Sequence, residues 1–220
     1  MTITVKFPRR ARKGRTLDEQ LAAVNLSRAS AESRIRDAAV IADEMLREGL
    51  AVLRPIAEGP RGRMVEDFAA NALLDRWFGE VKRPKHVRTI HRRLDGICNR
   101  FASGFTAAVR PENEDSPLAQ TAGAANLTGT RFRIYPRGLE RDIWDVAELI
   151  IHEIGHHWFT DQKLGDLKVY GETRARDLAT YDPRKARRST ENYAIFCMKA
   201  HEAAGLRSRR DGVPFYEDAA

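Results

Sequence analysis

The chain has 220 residues, 42% hydrophobic and 31% charged, with a formal net charge of +7. That length and apolar content support a full hydrophobic core and exclude a disordered chain. No apolar run reaches the roughly 18–20 residues that a bilayer-crossing helix needs, and two cysteines, Cys98 and Cys197, are too few for a disulfide framework and read as buried thiols.

Residues 1–15, with the dense cluster Pro8 to Arg15, read as a flexible basic arm. No apolar stretch follows those charges, so no classical secretory signal is expected. The expectation is synthesis in the cytoplasm, with export through a specialised secretion system. Of the 38 basic residues only eight are Lys, and the arginines are spread through nearly every segment. Scatter of this kind reads as solvated helix faces, so nucleic acid is not an expected partner. Thr16-Leu17-Asp18-Glu19 forms a capping box, and a helical pattern runs from it to about Leu53, stopped by Pro55 and the "EGPRG" segment. Residues 16–62 are therefore an N-terminal helical extension. A second helix reads from Arg63 to Phe78, closed by Gly79. A third starts after Pro84 and runs through Ile90, Leu94, Ile97 and Phe101 to Gly104. From Phe105 to Gly138 turn formers and short β-like pieces take over. The clearest strand is Thr130 to Pro136, where Phe132 and Ile134 alternate with arginines. Helical periodicity returns from Arg141 to about Thr160, a Gly-punctuated loop spans Asp161 to Gly171, and Pro183 opens a last helix to about Ala204. Residues 206–220 form a polar tail. The pattern predicts an α+β fold, mainly α, with a small β region before the helix at 141–160.

That helix carries "ELIIHEIGHHWF", Glu148 to Phe159. Ile143, Ala147, Ile150, Ile151, Ile154 and Trp158 make an apolar stripe, so the helix packs on a core. Its polar groups then need partners, because an unpaired buried polar group costs about 1–3 kcal/mol. His152-Glu153-Ile154-Gly155-His156 supplies a reason for them. Two imidazoles four residues apart share one helix face and can reach one zinc ion, and Glu153 can serve as general base toward a water in the open position. Zinc lowers the pKa of such a water to about 7. Glu148, one turn earlier, reads equally as a partner of His152 or as a solvent-facing residue. His157 is offset from the ligand face, and His86, His91 and His201 read as surface residues. The third ligand stays open: Gln162 stands where a metzincin has His, Asp161 and Asp166 are the aspartate candidates, and Glu172 and Glu191 are the glutamate candidates.

"HEIGHH", "GDLKVYG" (Gly165 to Gly171) and "DPRKARRSTENYAIF" (Asp182 to Phe196) together resemble the deuterolysin and lysine-specific metalloendopeptidase family, the aspzincins. "RWFG" at Arg76 to Gly79 and "RIYP" at Arg133 to Pro136 add to the resemblance, which covers roughly Val65 to Lys199. It implies a zincin-like metallopeptidase domain over residues 63–205. By it His152 and His156 are zinc ligands, Glu153 is the base, and Tyr170 hydrogen-bonds the oxyanion. The family's ligand Asp lies three residues before its Tyr. Here that position is Leu167 and Asp166 lies four before, so a one-residue insertion brings Asp166 to the metal; Leu164-Gly165 replaces the family's Gly-Thr. Glu191 would meet a substrate ammonium, as in lysine-preferring members, although Ala194 is neutral where a second carboxylate is expected.

The resemblance implies a zinc endopeptidase acting on a protein or peptide. With no signal peptide expected, the context expected for it is an effector or toxin delivered by a specialised secretion system, with a cognate inhibitor or immunity protein as a further partner. Two other readings compete. One is a thermolysin-like peptidase with Glu172 or Glu191 as third ligand. The other is a non-catalytic zincin scaffold docking an anionic partner through the basic arm, against which the presence of Glu153 argues.

Overall fold

A computed structural model describes residues 1–8, 16–112, 123–125, 131–158 and 170–205. Its elements are mostly helical, with one small sheet. Strand β1 (Ile3–Lys6) is followed by helices α1 (Leu17–Ala23), α2 (Arg28–Glu58), α3 (Met64–Ala70), α4 (Ala72–Phe78) and α5 (Pro84–Ala102). Strands β2 (Phe105–Val109), β3 (Gly123–Ala125) and β4 (Arg131–Ile134) come next, then α6 (Pro136–Glu140), α7 (Ile143–Trp158), α8 (Glu172–Tyr181), α9 (Pro183–Ala186) and α10 (Thr190–Ala203). The expected α+β, mainly α fold is present.

The capping box at Thr16 forms in both halves: Glu19 N donates to Thr16 Oγ1 at 3.3 Å and Thr16 N donates to Glu19 Oε2 at 2.7 Å. The helix it opens is short. Asn25 adopts a left-handed φ of 58°, which an Asn tolerates better than most residues. Ser27 then opens α2 with a second box, its partner being Ser30. The expected single helix from Thr16 to Leu53 is thus two. Pro55 does not stop α2 either, which continues to Glu58. A helical proline deprives the carbonyl four residues earlier of its donor. That residue, Ala51, is exposed, so water can take the donor's place. A similar break divides 63–78, where Asn71 Oδ1 accepts from Leu73 N and Leu74 N at 3.1 Å each and caps α4.

The sheet order is β1-β2-β4-β3, with β1, β2 and β4 parallel and β3 antiparallel to β4. In β4 Phe132 and Ile134 point inward while Arg133 is exposed, as the alternation predicts. β1 corrects part of the expected basic arm. Ile3 to Lys6 pair in parallel with Phe105 to Ala108, and Ile3, Val5 and Phe7 pack against the core. Residues 9–15 and the tail 206–220 lie outside the described residues.

Helix α2 packs against α5, α7 and α10 through Ile35, Ala38, Ala42, Met45, Leu46 and Leu53, all buried. It is a central member of the core, not an appended extension. Its many alanines let neighbouring helices approach closely. Cys197 is buried and Cys98 half-buried, and both are free thiols, as expected. Burial pushes the Cys98 thiol up to about 12, so thiolate chemistry is suppressed. His201 differs from its expected surface position: it is fully buried against Trp144, with ring centroids 5.1 Å apart. His86 and His91 are half-buried.

Candidate metal centre

Helix α7 is apolar over most of its surface and buried from Val146 to Ile154. Glu148, His152 and Glu153 nonetheless keep only 4%, 6% and 3% of their surface exposed, so charge chemistry is enclosed within an apolar helix. Helix α10 crosses beside it. Gly155 permits the approach, since a Cβ there would lie 3.0 Å from Thr190 Cγ2. Ser189 Oγ accepts from Asn192 N and starts α10. Asn192 Nδ2 then donates to the carbonyls of Trp77 and Ala175, both at 2.8 Å, tying α10 to α4 and α8. These contacts fix where Glu191, one residue earlier, can point.

Glu191 points at the first histidine. Its Oε2 lies 2.6 Å from His152 Nδ1, both side chains being buried. Its Oε1 accepts from Gly171 N at 2.5 Å. A carboxylate cannot donate, so Nδ1 carries the proton and the other ring nitrogen, Nε2, presents a lone pair when the ring is neutral. That lone pair faces His156. The two Nε2 atoms lie 2.9 Å apart, with the rings inclined at 77° and centroids 4.7 Å apart. Two nitrogens bound at about 2.0–2.1 Å to one tetrahedral zinc stand roughly 3.3 Å apart. The pair therefore has the direction and near-contact of two ligands to one ion, and His152, when neutral, has the matching tautomer.

The ring of Tyr170 lies beside His152, centroid to centroid 5.9 Å. Gly171, held by Glu191, has a φ of 85° that favours glycine. One carboxylate thus anchors both His152 and the backbone just after Tyr170. Glu172, a candidate third ligand, is exposed and pairs with Lys199. Asp161 and Asp166 lie outside the described residues, as does the His157 side chain.

Glu148 joins His152 and Glu191 in a buried group whose ligand atoms lie within 4.8 Å of one another. On spacing alone this trio could hold an ion. Two ligand atoms at 2.6 Å leave no room for one between them, however, so His152 and Glu191 are hydrogen-bonded rather than co-ligands. Burial, and next the charge of Glu191, hold the Glu148 carboxyl well above its ordinary pKa. Burial opposes charge on His152 too, but the hydrogen bond to Glu191 and the carboxylates of Glu191, Glu153 and Glu148 outweigh it and push the imidazole up to about 9. The enclosed negative charge attracts a cation, whether a proton or a metal.

Sequence reasoning located both histidines and Glu153 but left Glu148 undecided and gave Glu191 a different neighbour. Two signals bear on Glu191: its place in the first turn of α10, and the apolar character of the residues that follow. No family profile and no curated protein matches the chain by sequence. By structure it has the fold of a zinc peptidase from Grifola frondosa, with a TM-score of 0.61 and 19% identity, the match covering 81% of this chain and 99% of that one.

Proposed function

We propose that the protein is a zinc-dependent metalloendopeptidase that hydrolyses peptide bonds in protein substrates. The observation that carries this reading is the pair of Nε2 atoms 2.9 Å apart on α7, one of them set in its ligating tautomer by Glu191. The fold shared with a zinc peptidase supports it.

In this reading His152 and His156 hold the ion, and Asp166, from the segment that resembles the aspzincin loop, completes the sphere. Zinc, when bound, supplies a Lewis acid that acidifies water and polarises a carbonyl. Glu153, buried next to His152, takes a proton from the attacking water and returns it to the leaving amine. Tyr170, whose ring already stands beside His152, donates its hydroxyl to the developing oxyanion. β3 lies beside α7, and among the described residues no strand pairs with its outer edge. An extended peptide can add to such an edge through main-chain hydrogen bonds. Glu191 becomes a positioning residue rather than the receptor of a substrate ammonium, because both its oxygens are already engaged.

The thermolysin-like alternative is less favoured. Glu172 turns outward to Lys199, and Glu191 sits on the Nδ1 side of His152, away from Nε2. Delivery as an effector or toxin, with an inhibitor or immunity protein in the producing cell, extends the proposal. A broad peptidase harms the cell that makes it, so cytoplasmic expression should slow growth and Glu153→Gln should relieve it.

The deciding experiment measures metal content and turnover together. The purified chain should hold about one zinc and cleave unfolded protein, while Glu153→Gln keeps the zinc and loses turnover, because the base goes and the ligands stay. Full activity in that variant overturns the mechanism.

A further inference from the structure

The region where α5 begins and the α9–α10 turn passes holds a cleft of about 300 Å³, lined by His86, Thr89, Arg93, Arg184, Arg187 and Arg188. None of the lining residues is acidic. His86, Thr89 and Arg93 follow one another at three- and four-residue spacing along one face of α5, and the other three come from residues 184–188. Some arginines outside the cleft are paired with carboxylates, Arg28 with Asp18, Arg36 with Glu32, Arg47 with Asp43 and Arg63 with Asp67, and others, such as Arg34, with a backbone carbonyl. In the cleft Arg187 donates to the Glu80 carbonyl at 2.9 Å and Arg93 to the Arg187 carbonyl. These backbone acceptors orient the two guanidiniums, while the charges of Asp182 and Glu80, neither of them in the lining, act on Arg187 from beside the cleft.

Three further observations point the same way. Helix α5 starts here with no side-chain cap and no acidic residue in its first turn, so its positive dipole end is uncompensated. His86 Nδ1 is buried and has no hydrogen-bond partner among the described residues. Burial, and then the charges of Arg187, Lys85 and Arg83, hold the His86 imidazole below its ordinary pKa. Thr89 contributes only a wall, because its hydroxyl donates back to the Lys85 carbonyl at 2.7 Å.

We propose that this cleft binds a soluble small molecule carrying two or more phosphoryl groups, which the α5 wall and the 184–188 wall clamp from opposite sides. Guanidinium forks match phosphate oxygens in geometry and charge. The volume exceeds what a single ion fills, since a water occupies roughly 30 Å³. No Phe, Tyr or Trp lines the cleft, and its one ring, His86, offers a much smaller stacking platform than single-stranded nucleic acid uses. Recognition therefore rests on the phosphoryl groups, and a nucleoside attached to them should add little.

The proposal is independent of the zinc chemistry and is tested without a peptidase readout. Tripolyphosphate is titrated calorimetrically into the purified full chain at near-physiological salt, with metal content measured before and after. The same titration is run on Arg184→Glu/Arg188→Glu. The expected result is one saturable site per chain, with binding at least tenfold weaker in the double variant at an unchanged melting temperature. Thr89→Glu, which puts a carboxylate into the cleft and removes no arginine, should weaken binding similarly and serves should the double variant misfold. Absence of saturable binding, or equal affinity in wild type and a folded variant, overturns the proposal. So does retention of an oligonucleotide, or of vesicles bearing phosphorylated inositol lipid, by a wild-type chain that does not bind tripolyphosphate.

Discussion

His152 is held at one ring nitrogen so that the other can act, and the residue that holds it, Glu191, reaches it from a different helix. Such carboxylate partners typically change metal affinity by about 10–100-fold. Glu191→Ala should therefore weaken zinc binding by roughly that factor, measured by competition with a chelator, and leave the relative frequency of cuts beside Lys unchanged in a proteome digest. Unchanged zinc affinity with a selective loss of Lys cuts would instead make Glu191 a substrate-cation receptor. The titration of this cluster has a definite sign. In the metal-free chain folded His152 keeps its proton up to about 9, whereas an unfolded His releases it near about 6.5. Its contribution to stability is complete below about 6.5 and is lost as pH rises through about 9. Glu148, pushed well above its ordinary pKa, acts in the same direction, staying neutral when folded at pH values where the unfolded carboxyl ionises. Melts of the metal-free chain should therefore shift downward between pH 6.5 and 9. Zinc requires neutral His152, so its affinity should rise across that window with release of a proton. Calorimetry in buffers of different ionisation enthalpy checks this, and a pH-independent affinity would contradict it.

At the scale of elements, the candidate site depends on how closely α7 and α10 approach. Gly155 lies against Thr190, and a Cβ there would meet Cγ2 at 3.0 Å and Cβ at 3.2 Å. Overpacking of this kind costs about 1–3 kcal/mol. Gly155→Ala should lose stability in that range and weaken zinc binding too, because pushing α10 away withdraws Glu191 from His152. Thr190→Ser, which deletes Cγ2, should restore part of both losses in the double variant. Additive losses in a denaturant-melt cycle would place the strain elsewhere. Asp166→Ala is expected to lower zinc affinity and turnover together, with Asp161→Ala and Glu172→Ala much milder. Full zinc and full turnover in Asp166→Ala would remove the aspartate from the sphere.

At the scale of the whole molecule, the N-terminal elements meet the core differently from a domain with appendages. β1 forms one edge of the sheet and α2 packs between the site helices and α5. A chain beginning at Thr16 loses four parallel pairings with β2 and the partial burial of Ile3, Val5 and Phe7. Full burial of one such side chain is worth about 1.5–3 kcal/mol, so three half-buried ones amount to roughly 2–4 kcal/mol. For a domain of this size that lowers the melting temperature by roughly 5–15 °C. The truncation also uncovers the edge of β2 and should promote association. A flexible arm would give no shift, and differential scanning calorimetry distinguishes the two outcomes.

What the sequence determined by itself was local. The His-Glu-x-x-His spacing places both imidazoles on one helix face, Thr16 and Glu19 form their box, and Phe132 and Ile134 turn inward by strand alternation. Each of these follows from bonds or periodicity within a turn or a strand. The tertiary structure decided the rest. Glu191 meets His152 across 39 residues of chain only because Asn192 ties α10 to α4 and α8 and Gly155 lets α10 close on α7. His201 and Ile3 to Lys6 join the core because packing surfaces from distant segments reach them. Local pattern sets which side of an element faces inward, but which partner waits there depends on how the elements pack, and residue spacing alone carries no record of that.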